Sequence, residues 1–262
     1  MDIAGYVASV FIGIFLGLIG GGGSILTVPV LVYLFGLDAL LSTTYSLFVV
    51  GTTSLIGAFF YFRRKQVSFT TVIVFGLPSV VAVFLTRMFL LPAIPDILVE
   101  AGSFTVSKRI FFLVLFGILM IAAAVSMIRK PALEPGSDHL QKLPKGLLII
   151  QGTAVGLVTG LIGAGGGFLI IPALVNFLKL PMKTAIGTSL AIISINSLTG
   201  FLFSLHGSAI HWRFLLLVSM LAIAGLFIGM LLSRKINGAK LKPAFGWFVL
   251  VMGVYILFRE IS

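Results

Sequence analysis

The stretch GLIGGGGSILTVP, residues 17–29, decides how this chain folds. A nearly identical stretch, GLIGAGGGFLIIP, returns 143 positions later at residues 160–172. Each carries a run of glycines inside an apolar segment, where every glycine costs about 1 kcal/mol relative to alanine in a helix. We therefore expect the helix to break at both runs. Since lipid cannot satisfy the backbone groups that a break releases, each break must face protein, water or a bound ligand.

The composition is that of an integral membrane protein. The chain has 262 residues, of which 59% are hydrophobic and 10% are charged, and its mean hydropathy is +1.22, whereas soluble domains carry about 25% charged residues. The absence of cysteine excludes disulfides and thiolate metal sites. The net charge of +11 comes from Lys and Arg placed between apolar runs, where they set membrane orientation. Nucleic acid is therefore not an expected partner, and the expected environment is the lipid bilayer.

Eight apolar segments are long enough to interact with a membrane, since a span needs about 20 residues. They cover residues 6–35, 41–62, 69–91, 109–129, 147–178, 184–205, 213–233 and 243–259. A polar linker with three prolines separates the fourth from the fifth. The predicted organisation is a first repeat at 1–129, a cytoplasmic linker at 130–145 and a second repeat at 146–262. The N-terminus lacks a basic region and a cleavage-like site, so no removable signal peptide is expected.

The two halves are internally duplicated. Residues 13–59 and 156–202 align without a gap and share 17 identities in 47 positions. The matches include glycines, a proline and serines, which a shared apolar composition does not explain. Duplication of this kind is typical of secondary transporters, whose binding site lies near the bilayer midplane where the repeats meet.

The distribution of positive charge distinguishes two topologies. If all eight segments cross the membrane, the Lys and Arg divide 9 against 9. If segments 1 and 5 enter and turn back at their glycines, the division becomes 13 against 5, as the positive-inside rule prefers. The preferred prediction is thus an all-α polytopic protein of two inverted four-segment repeats with re-entrant first segments and both termini outside the cytoplasm. Eight simple crossings remain the alternative.

The glycine runs are the first candidate substrate site. The N–H groups of half-helices beginning near Ser24 and Phe168 would direct positive dipole ends at an anion. The residues concerned are Gly20, Gly21, Gly22, Gly23 and Ser24, and Gly163, Ala164, Gly165, Gly166 and Gly167. The alternative role of glycine is close helix packing. We expect that role for the glycines spaced by four before each run, Gly13 and Gly17, and Gly152, Gly156 and Gly160.

Polar residues of segments 2 and 6 are the second candidate set. Three pairs recur at one spacing: Ser46 with Ser189, Thr53 with Asn196, and Ser54 with Ser197. Their hydroxyls and amides could donate to a small oxyanion, or the hydroxyls could satisfy carbonyls of their own helices. All seven acidic residues fall in predicted loops or at segment ends, so no buried carboxylate is expected to bind a cation or relay protons. The core therefore suits anions.

Other polar and aromatic residues are expected to have peripheral roles. Arg87 should extend to the lipid headgroups, with substrate binding as the alternative. Tyr61 and Trp212 should anchor the protein at the membrane interface. No catalytic triad, zinc-protease motif or nucleotide-binding motif occurs. The prediction is thus a protein without enzymatic activity, cofactor or metal. An intramembrane enzyme using His206 or His211 is an alternative.

The doubled glycine motif, with the later blocks TYSLFVVGTTSLIG (44–57) and GTSLAIISINSLTG (187–200), resembles the TauE/SafE, or sulfite exporter, family of membrane transporters. The resemblance covers essentially the whole chain. It implies transport of small anions such as sulfite, sulfonates or carboxylates across a bacterial inner membrane, and a pathway lined by the duplicated glycine and polar positions. We predict a secondary transporter that works by alternating access. An anion channel remains the alternative, and a homodimer is left open.

Overall fold

The computed structural model of the chain describes residues 2–95, 97–101, 104–129, 145–162, 166–178, 180–205, 210–233 and 238–261. The first half contains α1 (Asp2–Ile19), α2 (Ser24–Pro29), α3 (Ala39–Arg63), α4 (Phe69–Leu85), α5 (Leu91–Ala93) and α6 (Lys108–Arg129). The second half contains α7 (Lys145–Ile162), α8 (Gly167–Pro172), α9 (Met182–Ser204), α10 (Trp212–Leu232) and α11 (Gly238–Ile261). The predicted all-α class is confirmed. The predicted linker falls almost wholly outside the described residues.

A small β-hairpin in the connection from α5 to α6 is the one piece of β-structure that the described residues show. Strands β1 (Ile97–Ala101) and β2 (Phe104–Ser107) pair antiparallel. The Lys108 ammonium group follows β2 and donates to the carbonyls of Leu91 and Ile94 at 2.9 and 2.8 Å. These bonds close the base of the hairpin against the end of α5. The apolar pattern of residues 97–107 did not predict these strands.

The outer surface of the helix bundle is apolar. Among the described residues, four helical segments are long and hydrophobic enough to cross a membrane, namely Ala39–Arg63, Phe69–Ala93, Met182–Ser204 and Trp212–Leu232. Large side chains such as Leu77, Met220 and Phe258 are 65–73% exposed. A surface of this kind is stable in lipid rather than in water. The chain is therefore a multi-pass membrane protein.

The first predicted helix break is confirmed, and the chain reverses direction at it. α1 ends at Ile19 and α2 begins at Ser24. Gly20 has φ +82°, a conformation that other residues rarely adopt. Gly23 lies against α1 at Ile12 and Leu16, which a continuing helix would have left several turns behind. The segment is thus an antiparallel helical hairpin.

Aromatic packing closes the open end of this hairpin. The Phe35 ring lies edge-on to Tyr6, with ring centroids 5.3 Å apart, and it also covers Gly5. The chain therefore returns to the level at which it started before α3 begins.

The second half repeats the reversal. α7 ends at Ile162 and α8 begins at Gly167. Gly166 has φ +65° and lies against Val155 and Thr159 of α7. These positions are 143 residues beyond Gly23, Ile12 and Leu16, so the two hairpins are equivalent. Gly163, Ala164 and Gly165 lie outside the described residues.

Each return limb changes helix type immediately after its proline. Val30–Leu34 follows Pro29 as a π-helix, and Ala173–Phe177 follows Pro172 in the same way. Proline has no N–H and its ring crowds the carbonyl one turn earlier, and a widened turn accommodates that defect. Both prolines are thus followed by a local widening of the helix. A third π-helical segment, Thr86–Leu90, follows α4.

Glycines bring α1 and α10 into backbone contact. Gly13 and Gly17 of α1 meet the main chain of α10, and from the other side Gly225 and Gly229 meet the main chain of α1 at Val10 and Ile14. Small residues at one-turn spacing permit this approach. The predicted packing role of the spaced glycines in the first half is confirmed.

The equivalent contact, obtained by exchanging the halves, joins α7 of the second half to α4 of the first. Gly152 meets Phe75, Gly156 meets Ser79, and Gly160 meets the side chain of Thr86. Gly156 and Ser79 are each 143 positions away from Gly13 and Ala222, which form the matching contact between α1 and α10. The packing role is confirmed here as well.

The main helix contacts follow a two-fold pattern. The most extensive pairs are α1 with α10, α4 with α7, α3 with α9, and α6 with α11. Exchanging the halves turns α1 into α7, α4 into α10, α3 into α9 and α6 into α11, and it returns the same four pairs. The two halves therefore pack about a pseudo-two-fold axis.

The central pair, α3 and α9, is antiparallel. Gly51 lies against Leu198, while Gly57, farther along α3, lies against Leu190, which is earlier in α9. Because α3 and α9 are antiparallel, a two-fold axis that exchanges them must be perpendicular to both helices. The central helix of the first half thus runs opposite to the equivalent helix of the second half.

The two ends of the bundle are identified by loop contacts. At the Asp38 end, Phe35 packs on Phe214 with centroids 4.8 Å apart, and the His211 N–H donates to the Tyr45 hydroxyl at 2.8 Å. The chain between α2 and α3 therefore lies beside the start of α10.

At the Ser68 end, the Ser68 N–H donates to the Thr188 hydroxyl at 2.9 Å, and Gln66 contacts Gly187. Tyr61 lies near this end and is 4% exposed. Its predicted role as an interface anchor is wrong, because α3 turns it toward the interior. Trp212, at the opposite end, is 49% exposed, as an anchor should be.

The packing of α1 on α10 predicts the effect of a bulky substitution. Gly13→Leu should lower the free energy of unfolding by about 1–3 kcal/mol, because the side chain would overlap the backbone of α10. Gly146→Leu is the control, since Gly146 is exposed and has no neighbour within 4 Å of an added Cβ. Thermal unfolding in detergent measures both, and equal melting temperatures would contradict the close packing.

Candidate functional site

The two glycine turns meet inside the bundle. A Cβ placed on Gly21 would lie 2.8 Å from the Cα of Gly167, and one placed on Gly167 would lie 2.7 Å from the Cα of Gly21. Every residue from Leu16 to Pro29 is buried. The first break therefore faces protein, as the apolar surroundings require. The hairpin tips form backbone-to-backbone contact at the pseudo-two-fold axis.

Local hydrogen bonds hold the first turn. The Ser24 N–H and hydroxyl both donate to the Gly21 carbonyl, at 3.3 and 2.7 Å. The Leu26 N–H donates to the Gly23 carbonyl at 3.2 Å. These bonds use N–H groups at the start of α2 that were predicted to bind an anion. Other groups must therefore donate some of the hydrogen bonds to any bound ligand.

One face of α9 runs beside both tips. Ile186 contacts Gly20, and Ile193, two turns later, contacts Gly167. Residues three and four positions from these share their face of the helix. Three of the predicted site residues do so: Ser189, Asn196 and Ser197.

The equivalent face belongs to α3, which packs against α2 and α9. Ser46, Thr53 and Ser54 occupy the positions 143 residues before the three residues of α9. All six side chains are fully buried, with 0% exposure. The structure thus places the six predicted polar residues on the two helix faces that flank the glycine tips.

The six residues fall into two groups, according to whether their side-chain polar atoms all have hydrogen-bond partners. The Ser46 hydroxyl donates to the Thr43 carbonyl and the Ser189 hydroxyl to the Ile186 carbonyl, each at 2.9 Å. These two serines satisfy their own helices, which was the alternative role for such hydroxyls.

The other four have unused hydrogen-bonding groups. No partner is found for the hydroxyls of Thr53, Ser54 and Ser197 or for the amide oxygen of Asn196. The amide nitrogen of Asn196 does have one, since it donates to the Ser79 hydroxyl at 2.6 Å. A buried polar group without a partner costs about 1–3 kcal/mol and calls for a ligand or another specific reason. Four such groups beside the tips mark this region as the candidate site.

Among the side chains that the structure describes, no carboxylate lies beside the candidate site. The acidic side chain that the structure describes is Asp38, which is exposed and accepts bonds from Leu40 and Leu41 at the start of α3. No group of metal-binding side chains occurs among the described residues. Neutral donors and few carboxylates suit a negatively charged ligand better than a positive one.

Arg87 is a charged residue whose position the sequence analysis misjudged. It is 4% exposed and therefore does not extend to the headgroups. Its Nη1 donates to the hydroxyls of Thr43 at 3.4 Å and Ser204 at 3.3 Å. The π-helical segment Thr86–Leu90 carries it between α3 and α9. One feature of the sequence indicated that Arg87 is buried: the apolar residues 88–91 continue the segment beyond it.

Comparison with known proteins is consistent with this geometry. The profile described as "Sulfite exporter TauE/SafE" matches residues 6–256. A probable membrane transporter protein of Xylella fastidiosa is 28% identical over 95% of this chain and 92% of its own length. Proteins of the same description from Methanocaldococcus jannaschii and Bacillus subtilis are 27% and 24% identical, with coverage of 96% and 98% of this chain and 93% and 98% of their own. No solved structure matches the chain.

The unpartnered groups predict an unusual stability effect. Thr53→Val should raise the free energy of unfolding by about 1 kcal/mol, because a methyl group of equal size replaces a buried hydroxyl without a partner. Ser79→Ala should lower it by about 1–3 kcal/mol, because the Asn196 amide loses its acceptor. Thermal unfolding without added anions measures both. Comparable losses in the two variants would mean that the Thr53 hydroxyl has a structural partner.

Proposed function

Since the chain belongs to the TauE/SafE sulfite exporter family, we propose that it is a secondary membrane transporter for small anions, with sulfite, organosulfonates and small carboxylates as the substrate class. The observation that supports this proposal most directly is the set of four unpartnered buried groups beside the two glycine tips. A transported oxyanion would accept hydrogen bonds from the three hydroxyls while it is bound.

The substrate would lie between the hairpin tips and the polar faces of α3 and α9. The Thr53, Ser54 and Ser197 hydroxyls would donate to its oxygens. The tips, Gly20–Ser24 and 163–167, would bring main-chain N–H groups close to it, because their lack of side chains allows close approach. Hydroxyl and amide donors can hold an oxyanion without a fixed countercharge, and this permits its release.

Alternating access follows from the pseudo-two-fold packing. The tips touch through Gly21 and Gly167, so this conformation offers no continuous pore between them. Two halves pointing in opposite directions can exchange roles by rocking about the shared axis, which exposes the central site first to one end and then to the other. A transporter rather than an open channel is the mechanism that this contact supports.

The proposed orientation places the Ser68 end in the cytoplasm. Exposed cations cluster there, with Arg63, Arg64 and Lys65 after α3 and Lys183 at the start of α9. Cytoplasmic loops carry an excess of Lys and Arg. Each half then contributes one re-entrant hairpin and three crossings, which makes the repeats inverted. We place the protein in the cell inner membrane.

Reconstitution into liposomes tests the function. The purified protein should support saturable uptake of at least one of sulfite, isethionate and acetate, with pH and sodium gradients varied separately. Preloading with unlabelled substrate should accelerate entry of the labelled anion, since a transporter exchanges. Absence of uptake for every anion would contradict the proposal, and conductance without saturation or counterflow would indicate a channel.

A matched pair of glycine variants tests whether the glycine tips form part of the transport pathway. Gly21→Ala should reduce uptake at least tenfold, because the added methyl group would push Gly167 away and separate the tips. Gly76→Ala is the control, since its added Cβ would meet Ile192 at an ordinary 3.6 Å. Flux should be normalised to folded, inserted protein, and equal flux in both variants would remove the tips from the pathway.

Single cysteines test the topology in a chain that has none of its own. Arg64→Cys and Arg213→Cys both alter exposed residues. The re-entrant arrangement places them on opposite sides of the membrane, so an impermeant thiol reagent should label position 213 from outside and position 64 only after permeabilisation. Labelling of both from one side would support eight simple crossings instead.

A further inference from the structure

Arg87 is a buried cation whose hydrogen-bonding capacity is only partly used. Its Nη1 contacts the hydroxyls of Thr43 and Ser204, but its Nε and Nη2 have no partner. A guanidinium group keeps its charge in proteins, and burial of a charge without a counter-ion is strongly unfavourable. The missing hydrogen-bond partner of Arg87 is therefore an anion rather than a neutral acceptor.

The unused groups of Arg87 have the geometry for an oxyanion. Nε and Nη2 form one edge of the planar guanidinium, and that edge can donate two parallel hydrogen bonds to a carboxylate, sulfonate or sulfite. The adjacent residues Ser42 and Thr86 also have buried hydroxyls without a partner. Two hydroxyl-bearing side chains, Thr43 and Ser204, thus contact the charged fork, and the next residues in sequence add two buried hydroxyls nearby along the chain.

The position of Arg87 relates it to the central site. Thr43 lies on the same face of α3 as Ser46 and Ser54, at spacings of three and eleven residues. This face leads from the Asp38 end toward the glycine tips. An anion held by Arg87 would therefore lie at the entrance to the polar face that the proposed function uses.

The opposite end of the bundle has no equivalent cation. The positions that correspond to Arg87, Thr43 and Ser204 through the 143-residue repeat are Met230, Ile186 and Tyr61. Met230, Ile186 and Tyr61 are all buried. The buried guanidinium of Arg87 therefore has no counterpart at the equivalent position of the other half.

We propose that Arg87, with Thr43 and Ser204, forms a separate binding site for a small oxyanion at the Asp38 end. The site deepens the proposed function and rests on it for its role, which is to capture the transported anion on the non-cytoplasmic side. Its ligand class is a singly or doubly charged oxyanion that can accept two hydrogen bonds from one guanidinium edge. The equivalent position near the Ser68 end holds Met230 in place of the guanidinium and should therefore bind the same ion more weakly.

Binding to the purified full-length protein tests the site independently of transport. Isothermal titration in detergent with sulfite, isethionate and acetate in turn should show binding of at least one probe by the wild type. Arg87→Gln should raise the dissociation constant for that probe at least tenfold, because the charged fork is lost. Arg87→Lys should retain part of the affinity, because it restores the charge without the fork.

Arg213→Gln is the matched control, since it removes an exposed positive charge at the same end of the bundle. It should leave the dissociation constant unchanged, because a solvated charge contributes little. Thermal unfolding of each variant separates loss of binding from loss of structure. An unchanged dissociation constant in Arg87→Gln, an equal loss in Arg213→Gln, or no binding of any probe by the wild type would overturn the site.

Sidedness in liposomes separates this inference from the proposed function. With oriented protein, Arg87→Gln should raise the half-saturating concentration at least tenfold on the non-cytoplasmic side and leave the cytoplasmic value unchanged. Wild-type flux combined with unaltered values on both sides would overturn the site and preserve the transporter. Anion binding that depends on Arg87 without flux would preserve the site and overturn the transporter.

Discussion

Reversal of the main chain within an apolar environment is the constraint on which the rest of this structure depends. At each reversal, peptide groups leave the regular helix, and lipid offers them nothing in exchange. The structure solves this by burying the described turn completely and by placing the tips against each other at Gly21 and Gly167. Helices α3 and α9 then surround the tips, so the part of the chain with the weakest helix propensity becomes the centre of the bundle.

Close glycine packing makes this arrangement possible. The hairpin limbs α1 and α7 are held to α10 and α4 through backbone contacts that side chains would prevent. The first limb of each hairpin thus packs mainly against the opposite half of the protein. The halves are therefore interlocked, and the central polar groups are enclosed by elements from both. A binding site shared in this way forms only when the two repeats assemble.

Much of this fold follows from the sequence, for reasons that are local. Glycine runs predict helix breaks by propensity alone, and the count of Lys and Arg distinguishes a re-entrant from a crossing segment without three-dimensional information. The burial of Arg87 and Tyr61 was not predictable in the same way, because both lie near segment ends, where long polar side chains usually reach water. Their burial depends on neighbours from other helices, such as Ser204 for Arg87. The division of the six polar residues into partnered and unpartnered groups likewise depends on tertiary contacts.

The antiparallel arrangement of α3 and α9 has a consequence for how such a protein can be built. If one half were synthesised alone, two copies could reproduce the same contacts only by inserting into the bilayer in opposite senses. That polypeptide would need nearly balanced charge on its loops, so that neither orientation dominated. Joining the halves in one chain removes the requirement, because each half can then carry charges that fix its own insertion. One such set of charges is Arg63, Arg64 and Lys65. The equivalent positions of the second half, His206, Gly207 and Ser208, carry no Lys or Arg.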